Sequence, residues 1–147
     1  MRLVDINHVA IRTLDVDTTN RFYTDILGMS VAPRPPLDFP GSWLKMGASM
    51  IHVVGGDCAR NPDGSFTAGS AAVDHISIAA EGFDDYAARF AEKGLDWREN
   101  QIPEAGIWQL MIRDPNGILI ELNFDRGKEP ANSRGVSGKR PFELGKF

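Results

Sequence analysis

The chain has little of what would mark several common protein classes. A single cysteine, Cys58, among 147 residues excludes an internal disulfide framework and fits a reducing compartment, so a cytoplasmic location is expected. No apolar run approaches the roughly 18 residues that a bilayer span requires. The first residues also lack the charged, apolar, small-residue succession of a signal peptide, so no membrane role is expected. Basic residues are not in excess: 16 Lys and Arg stand against 20 Asp and Glu, with a pI near 5.3. A basic stripe able to neutralise phosphates is therefore missing, and nucleic acid is not an expected partner. The late basic residues Arg126, Lys128, Arg134, Lys139, Arg140 and Lys146 are interleaved with Gly, Pro, Ser and Glu, which reads as a solvated tail. Histidine is scarce too: His8, His52 and His75 are the only three.

What is present is a repeat. Ile6-Asn7-His8-Val9-Ala10-Ile11 returns as Val73-Asp74-His75-Ile76-Ser77-Ile78: apolar, Asn or Asp, His, β-branched, small, Ile. The third histidine, His52, stands at nearly the same offset before Glu121, which lies in a similar apolar run. Self-similarity of this kind implies two copies of one unit. With 42% apolar residues, 24% charged residues and 15 glycines, the chain has the composition and length of one globular body, or of two small modules sharing a core.

Residues 3 to 12 alternate as a half-buried strand, which places His8 and Arg12 on one face. Asp15 can cap a helix carrying Phe22, Ile26 and Leu27, and Gly28 ends it. A proline-rich loop from Pro33 to Gly41 follows, containing Asp38 and Phe39. Trp43 to Met46 and Met50 to Val54 then read as a hairpin about Gly47-Ala48-Ser49. Residues 56 to 70, rich in Gly, Asp, Asn, Pro and Ser, form a linker. The pattern restarts with a strand from Val73 to Ala80, a helical stripe of Phe83, Tyr86, Ala87, Phe90 and Ala91 ended by Gly94, then strands at Trp97 to Ile102, Ile107 to Arg113 and Ile118 to Phe124. Asp114-Pro115-Asn116-Gly117 suits an antiparallel connection. Each half reads strand, helix, then three strands, the middle one faint. From Asp125 onward the tail is irregular, with Phe142, Leu144 and Phe147 as anchors onto the body or a neighbouring subunit.

Glu121, flanked by Ile118-Leu119-Ile120 and Leu122, is costly to bury unless paired or metal-bound; the alternative is that it points into solvent. Any one histidine reads most simply as a core or edge residue satisfied by a backbone carbonyl. The joint pattern points elsewhere, because three histidines and one carboxylate occupy matched positions on strands. If the halves pack about a pseudo-two-fold axis, His8, His75, His52 and Glu121 converge as ligands for Zn²⁺, Fe²⁺, Ni²⁺, Mn²⁺ or Co²⁺, with positions left open for substrate. Pro36, Phe39, Trp43 and Trp108 are candidates for an apolar pocket wall, with structural packing the alternative for at least one of the two tryptophans.

The run Asn7-His8-Val9-Ala10-Ile11-Arg12, the run from Arg21 to Met29, Asp74-His75-Ile76, and Asp114 to Gly117 followed by Ile120-Glu121-Leu122 together resemble the vicinal oxygen chelate superfamily. That group contains glyoxalase I, methylmalonyl-CoA epimerase, fosfomycin- and bleomycin-resistance proteins and extradiol dioxygenases. The resemblance implies an α+β fold of two βαβββ modules forming a cupped mixed sheet. One such domain would cover residues 1–124, with module 1 at about 3–55, the linker at about 56–70, module 2 at about 71–124, and residues 125–147 as tail. It implies a divalent metal at His8, His52, His75 and Glu121, with Glu121 and His52 as catalytic groups and Arg12, Phe39, Trp43, Trp108 and Asn123 as substrate contacts. The second position is usually Glu in glyoxalase I and Gln in the epimerase; here it is His52. Glu121 is then the one ligand-position carboxylate, and Asp38 is another acid that could move a proton. Arg12 matches an arginine that in glyoxalase I contacts the anionic end of its thiol cofactor. An anionic small-molecule substrate is therefore implied, along with a thiol co-substrate such as glutathione. The implied activity is a glyoxalase-I-like lyase or isomerase. The alternatives are an extradiol-type Fe(II) dioxygenase and a non-enzymatic drug-binding protein of the bleomycin-resistance kind. A homodimer is expected, with modules pairing within a chain or across it.

Overall fold

The computed structural model describes residues 2, 6–69, 72–143 and 146–147. The expected start of the first strand at Leu3, Val4 and Asp5, and the tail anchor Leu144, lie outside them. The chain divides into two compact units, Met1–Ala68 and Gly69–Phe147, and the fold is α+β, with one four-stranded mixed sheet in each.

The first unit runs β1 (His8–Arg12), α1 (Val16–Arg21), β2 (Ser30–Ala32), β3 (Gly41–Met46) and β4 (Ser49–Val54), with sheet order β1-β4-β3-β2. β1 pairs parallel with β4, and the other pairs are antiparallel. The Asp15 carboxylate caps α1 by accepting from the Thr18 N–H at 2.9 Å, satisfying one of the donors that a helix start leaves free. The helix continues through a π-helical turn, Phe22–Ile26. Its apolar stripe of Phe22, Tyr23, Ile26 and Leu27 is buried, as are Ile11, Leu44, Ile51 and Val53 on the strands, and α1 packs on β3 and β4. Side chains alternate along a strand. Burying Ile11, Ile51, Val53 and Leu44 under α1 therefore turns His8, Ala10 and Arg12 of β1, His52 of β4 and Trp43 of β3 to the opposite face. The weak strand of this unit is the first after the helix and not the middle one: β2 is a three-residue edge with Val31 65% exposed. The linker is not featureless: Gly56–Ala59 forms a 3-10 turn that buries Ala59.

The second unit repeats the plan: β5 (Ile76–Ala80), α2 (Phe83–Glu92), β6 (Trp97–Ile102), β7 (Ile107–Arg113) and β8 (Leu119–Asp125), in order β5-β8-β7-β6. β5 lies parallel to β8, and the rest are antiparallel. Phe83, Ala87 and Phe90 of α2 are fully buried, with the rings of Phe83 and Phe124 5.3 Å apart, edge to face. Leu110, Ile112, Ile120, Leu122 and Ile78 complete that core. The β7–β8 turn is fixed by Asp114, whose Oδ1 accepts from the N–H groups of Asn116 and Ile118 at 2.9 and 2.8 Å. Gly117 there has φ +81°, a left-handed conformation that glycine adopts without a Cβ clash.

Two expectations need correction. His75 does not lie within a strand: β5 begins at Ile76, so His75 stands at its entrance. The tail is irregular but is tied to the second unit rather than solvated. The buried Glu129 carboxylate accepts from the N–H groups of Gly82 and Phe83, each at 2.9 Å, and so caps α2 from a distant part of the chain. Arg134 bonds Asp84, and the Ser137 N–H and hydroxyl both donate to Glu99 at 2.7 Å. Arg140 lies 3.8 Å over the Trp97 ring, and Phe147 sits beneath Arg98 at 4.7 Å. Buried carboxylates need such partners, and Glu99 and Glu129 find theirs only in this packing.

Candidate functional site

In each unit, the face turned away from the helix carries the ligand-type residues. In the first unit, His8 is exposed and its Nδ1 lies 2.9 Å from Asn7 Oδ1. An amide oxygen only accepts, so Nδ1 carries the proton and Nε2 keeps a free lone pair. The His8 ring stacks on His52 with centroids 3.8 Å apart and planes 13° apart. His52 in turn stacks on Trp43 at 4.5 Å and 8°. The imidazole of His52 is thus sandwiched, and its Nε2 is buried with no hydrogen-bond partner among the described residues. Burial, and then repulsion from His8, lower its pKa from the usual 6.5, which favours the neutral ring near neutral pH. Lone pairs lie in the ring plane, so two rings stacked face to face do not direct them at one point. As placed, His8 and His52 do not converge as joint ligands.

In the second unit, His75 Nδ1 lies 2.7 Å from Asp74 Oδ1, and its Nε2 lies 3.7 Å from Glu121 Oε2. Asp74 fixes the same tautomer as Asn7 does, with a carboxylate in place of an amide. Glu121 is 8% exposed. Its Oε1 accepts from the Ser77 hydroxyl at 2.9 Å and from the Asn123 amide, leaving Oε2 as the oxygen that faces His75. Ser77 pairs with Glu121 across β5 and β8, so this arrangement follows from strand register. Among the described residues no three His, Cys, Asp or Glu side chains form a group that could hold a metal ion. Within each unit the ligand-type groups come as a pair.

The remaining candidates separate. Trp43 lies at the site through His52. Arg12 shares the His8 face and donates from Nη1 to Asn61 Oδ1 at 3.1 Å, tying the strand end to the linker. Phe39 is half-buried in its loop, its carbonyl accepting from Arg34, whose guanidinium also covers its ring at 4.8 Å. Asn123 holds Glu121. Trp108 is the correction: it pairs with Phe124 across β7 and β8 and packs edge-on against Phe83 of α2 at 5.4 Å. It therefore lies on the helix face, opposite Glu121, and belongs to packing. The residues that sequence reasoning left without a role are Asn7, Asp74 and Ser77. Their signal was in the repeat itself, where each histidine follows an Asn or Asp.

Comparisons with known proteins identify the family. Residues 5–122 match the family model of the Glyoxalase/Bleomycin resistance protein/Dioxygenase superfamily. The chain belongs to that superfamily. Within it, the chain is 32% identical over 127 residues to "Glyoxylase I 4" of Arabidopsis thaliana, covering 83% of this chain and 71% of that protein. Among solved structures, lactoylglutathione lyase from Agrobacterium tumefaciens superposes with a TM-score of 0.66 at 20% identity, covering 86% of this chain and 97% of the other. A genomically encoded fosfomycin resistance protein from Listeria monocytogenes superposes with a TM-score of 0.64 at 16% identity, covering 85% and 99%. At such identities these structures speak for the superfamily's fold alone. No helix among the described residues is long and apolar enough to cross a membrane.

Proposed function

We propose that this chain is a divalent-metal enzyme of the superfamily, a lyase or isomerase in the glyoxalase style acting on a small anionic substrate. The carrying observation is the state of the ligand-type atoms. His75 has its Nδ1 held by Asp74 with Nε2 free, and Glu121 has Oε1 held by Ser77 and Asn123 with Oε2 free. His8 is prepared in the same way by Asn7. Two imidazoles and a carboxylate suit Zn²⁺, Fe²⁺, Ni²⁺, Mn²⁺ or Co²⁺, and hydrogen bonds that fix ligand orientation are what such sites require. These donor types suit a metal, and His8, His75 and Glu121 are the ligands we propose.

A divalent ion there would act as a Lewis acid on adjacent substrate oxygens, acidifying the neighbouring C–H. The chain's own part is to move the proton. Glu121, pinned through Oε1, is built to stay in place. His52, stacked between His8 and Trp43 so that its lone pair is not shared with the lone pair of His8, is the imidazole we assign to proton transfer rather than ligation. Arg12, exposed on the same face, supplies charge for an anionic substrate group, and Trp43 supplies an apolar surface. The similarity to a glyoxylase I supports this reading, and a thiol co-substrate such as glutathione is consistent with it. We extend the proposal to a homodimer.

One observation favours the Fe(II) dioxygenase as second reading: with His52 set aside, the ligands reduce to two histidines and one carboxylate, the facial set of non-haem iron oxygenases. Two assays on metal-loaded protein separate the readings. Deuterium uptake from solvent at an α-carbon, tested with hemithioacetals of glutathione, supports the lyase or isomerase. Oxygen consumption with a catechol panel and no such exchange overturns it in favour of the oxygenase.

A further inference from the structure

The carboxylate of Glu121 does not end its contacts at Asn123. Asn123 Oδ1 accepts from Gln109 Nε2 at 3.0 Å, and Gln109 Oε1 accepts from Asn100 Nδ2 at 2.6 Å. These three amides lie on β8, β7 and β6, and strand register sets them side by side, Asn123 against Gln109 and Gln109 against Asn100. Gln109 is 6% exposed. Asn100 and Asn123 are half-buried, and this amide run, on the face away from α2, is not needed for the core on the other side.

The polarity of this run is dictated from one end. An ionised carboxylate can only accept hydrogen bonds, so Asn123 must turn its NH₂ toward Glu121 and its oxygen toward Gln109. Gln109 must then offer its NH₂ to Asn123 and its oxygen to Asn100. Every amide in the row donates toward Glu121, and hydrogen bonds in a chain polarise one another in the same sense. We infer that Gln109 and Asn100 are positioning residues that act through Asn123 to hold Glu121 Oε1, so that Glu121 offers a metal only its Oε2. The inference rests on the metal reading above. It adds that single-oxygen ligation by Glu121 is built by a one-directional amide chain crossing the sheet.

The test uses the isosteric change Gln109→Glu and the apolar Gln109→Met, with Asn100→Ala as a milder third variant and circular dichroism to establish folding. Co²⁺ titration of full-length protein, followed by its visible absorption, reads the ligand set directly. Gln109→Met is expected to weaken Co²⁺ binding by about tenfold, as losses of supporting hydrogen bonds around metal ligands do. Gln109→Glu should weaken it further and change the absorption band, because an ionised acceptor forces Asn123 to turn its oxygen on Glu121. An added negative charge acting by simple attraction would strengthen Co²⁺ binding instead. Unchanged or tighter binding in both Gln109 variants overturns the chain. Failure of the unaltered protein to bind Co²⁺ would sink the metal reading but still leave a metal-free readout. The Asn123 side-chain NH₂ should be protected from hydrogen exchange and lose that protection in Gln109→Met; equal exchange in both proteins overturns the inference.

Discussion

His75 Nε2 and Glu121 Oε2 face each other 3.7 Å apart, each left free because the other atom of its group is already held. That spacing exceeds a direct hydrogen bond, and the two groups come from different strands, the entrance of β5 and the middle of β8. The relationship rests on the parallel pairing of those strands, which places Ser77 opposite Glu121.

The two histidines that open the repeat should not respond alike to loss of their partners. Asp74 is charged and Asn7 is not, so Asp74 makes the stronger hydrogen bond to its imidazole. Asp74→Ala is expected to weaken Zn²⁺ or Co²⁺ binding by about 10- to 100-fold, the range for partners of ligating histidines, and Asn7→Ala by less. Calorimetric titration of both variants checks the order.

His52 predicts a pH dependence of stability. Its pKa in the folded protein lies below the usual 6.5 because of burial and then electrostatic repulsion from His8. The unfolded chain therefore binds the proton more readily, and stability rises with pH across that interval. The contribution is complete above the unfolded value and is lost as pH falls through the folded one. Urea unfolding from about pH 8 down to about pH 5 should show this decline, and His52→Phe should flatten it.

The tail's attachment has a cost if removed. Glu129→Ala deprives the N–H groups of Gly82 and Phe83 of their acceptor, and the loss is expected to be about 1–3 kcal/mol. Urea denaturation measures it. Glu129→Gln, which keeps an acceptor, should lose less.

Trp108 and Trp43 should separate cleanly. Trp108→Leu, altering the helix face, should lower stability by about 1–3 kcal/mol while leaving metal affinity intact. Trp43→Leu uncovers His52 and should instead reduce turnover. Paired stability and kinetic measurements distinguish them.

The order of elements was legible because its punctuation is chemical: Asp15 caps, Gly28 and Gly94 stop helices, and Asp114 to Gly117 turns. β2 left little signal because a three-residue edge strand ending before Pro33 buries almost nothing. The role of Trp108 was not legible because an aromatic on a strand does not declare its face; only the pairing with Phe124 does. Glu99 and Glu129 carried no such signal, since each pairs a regular element with the irregular tail tens of residues away. The ligand-type residues were visible because a repeat exposes polar positions that a single strand hides. Their preparation by Asn7, Asp74 and Ser77 is visible only in the folded structure.

The most direct test of the metal reading is elemental analysis of protein purified without added metal, set beside the variants His8→Ala, His52→Ala, His75→Ala and Glu121→Ala. The account predicts about one divalent ion per chain, lost in the His8, His75 and Glu121 variants and retained in His52→Ala. Metal content that is unchanged in His75→Ala and Glu121→Ala would contradict it.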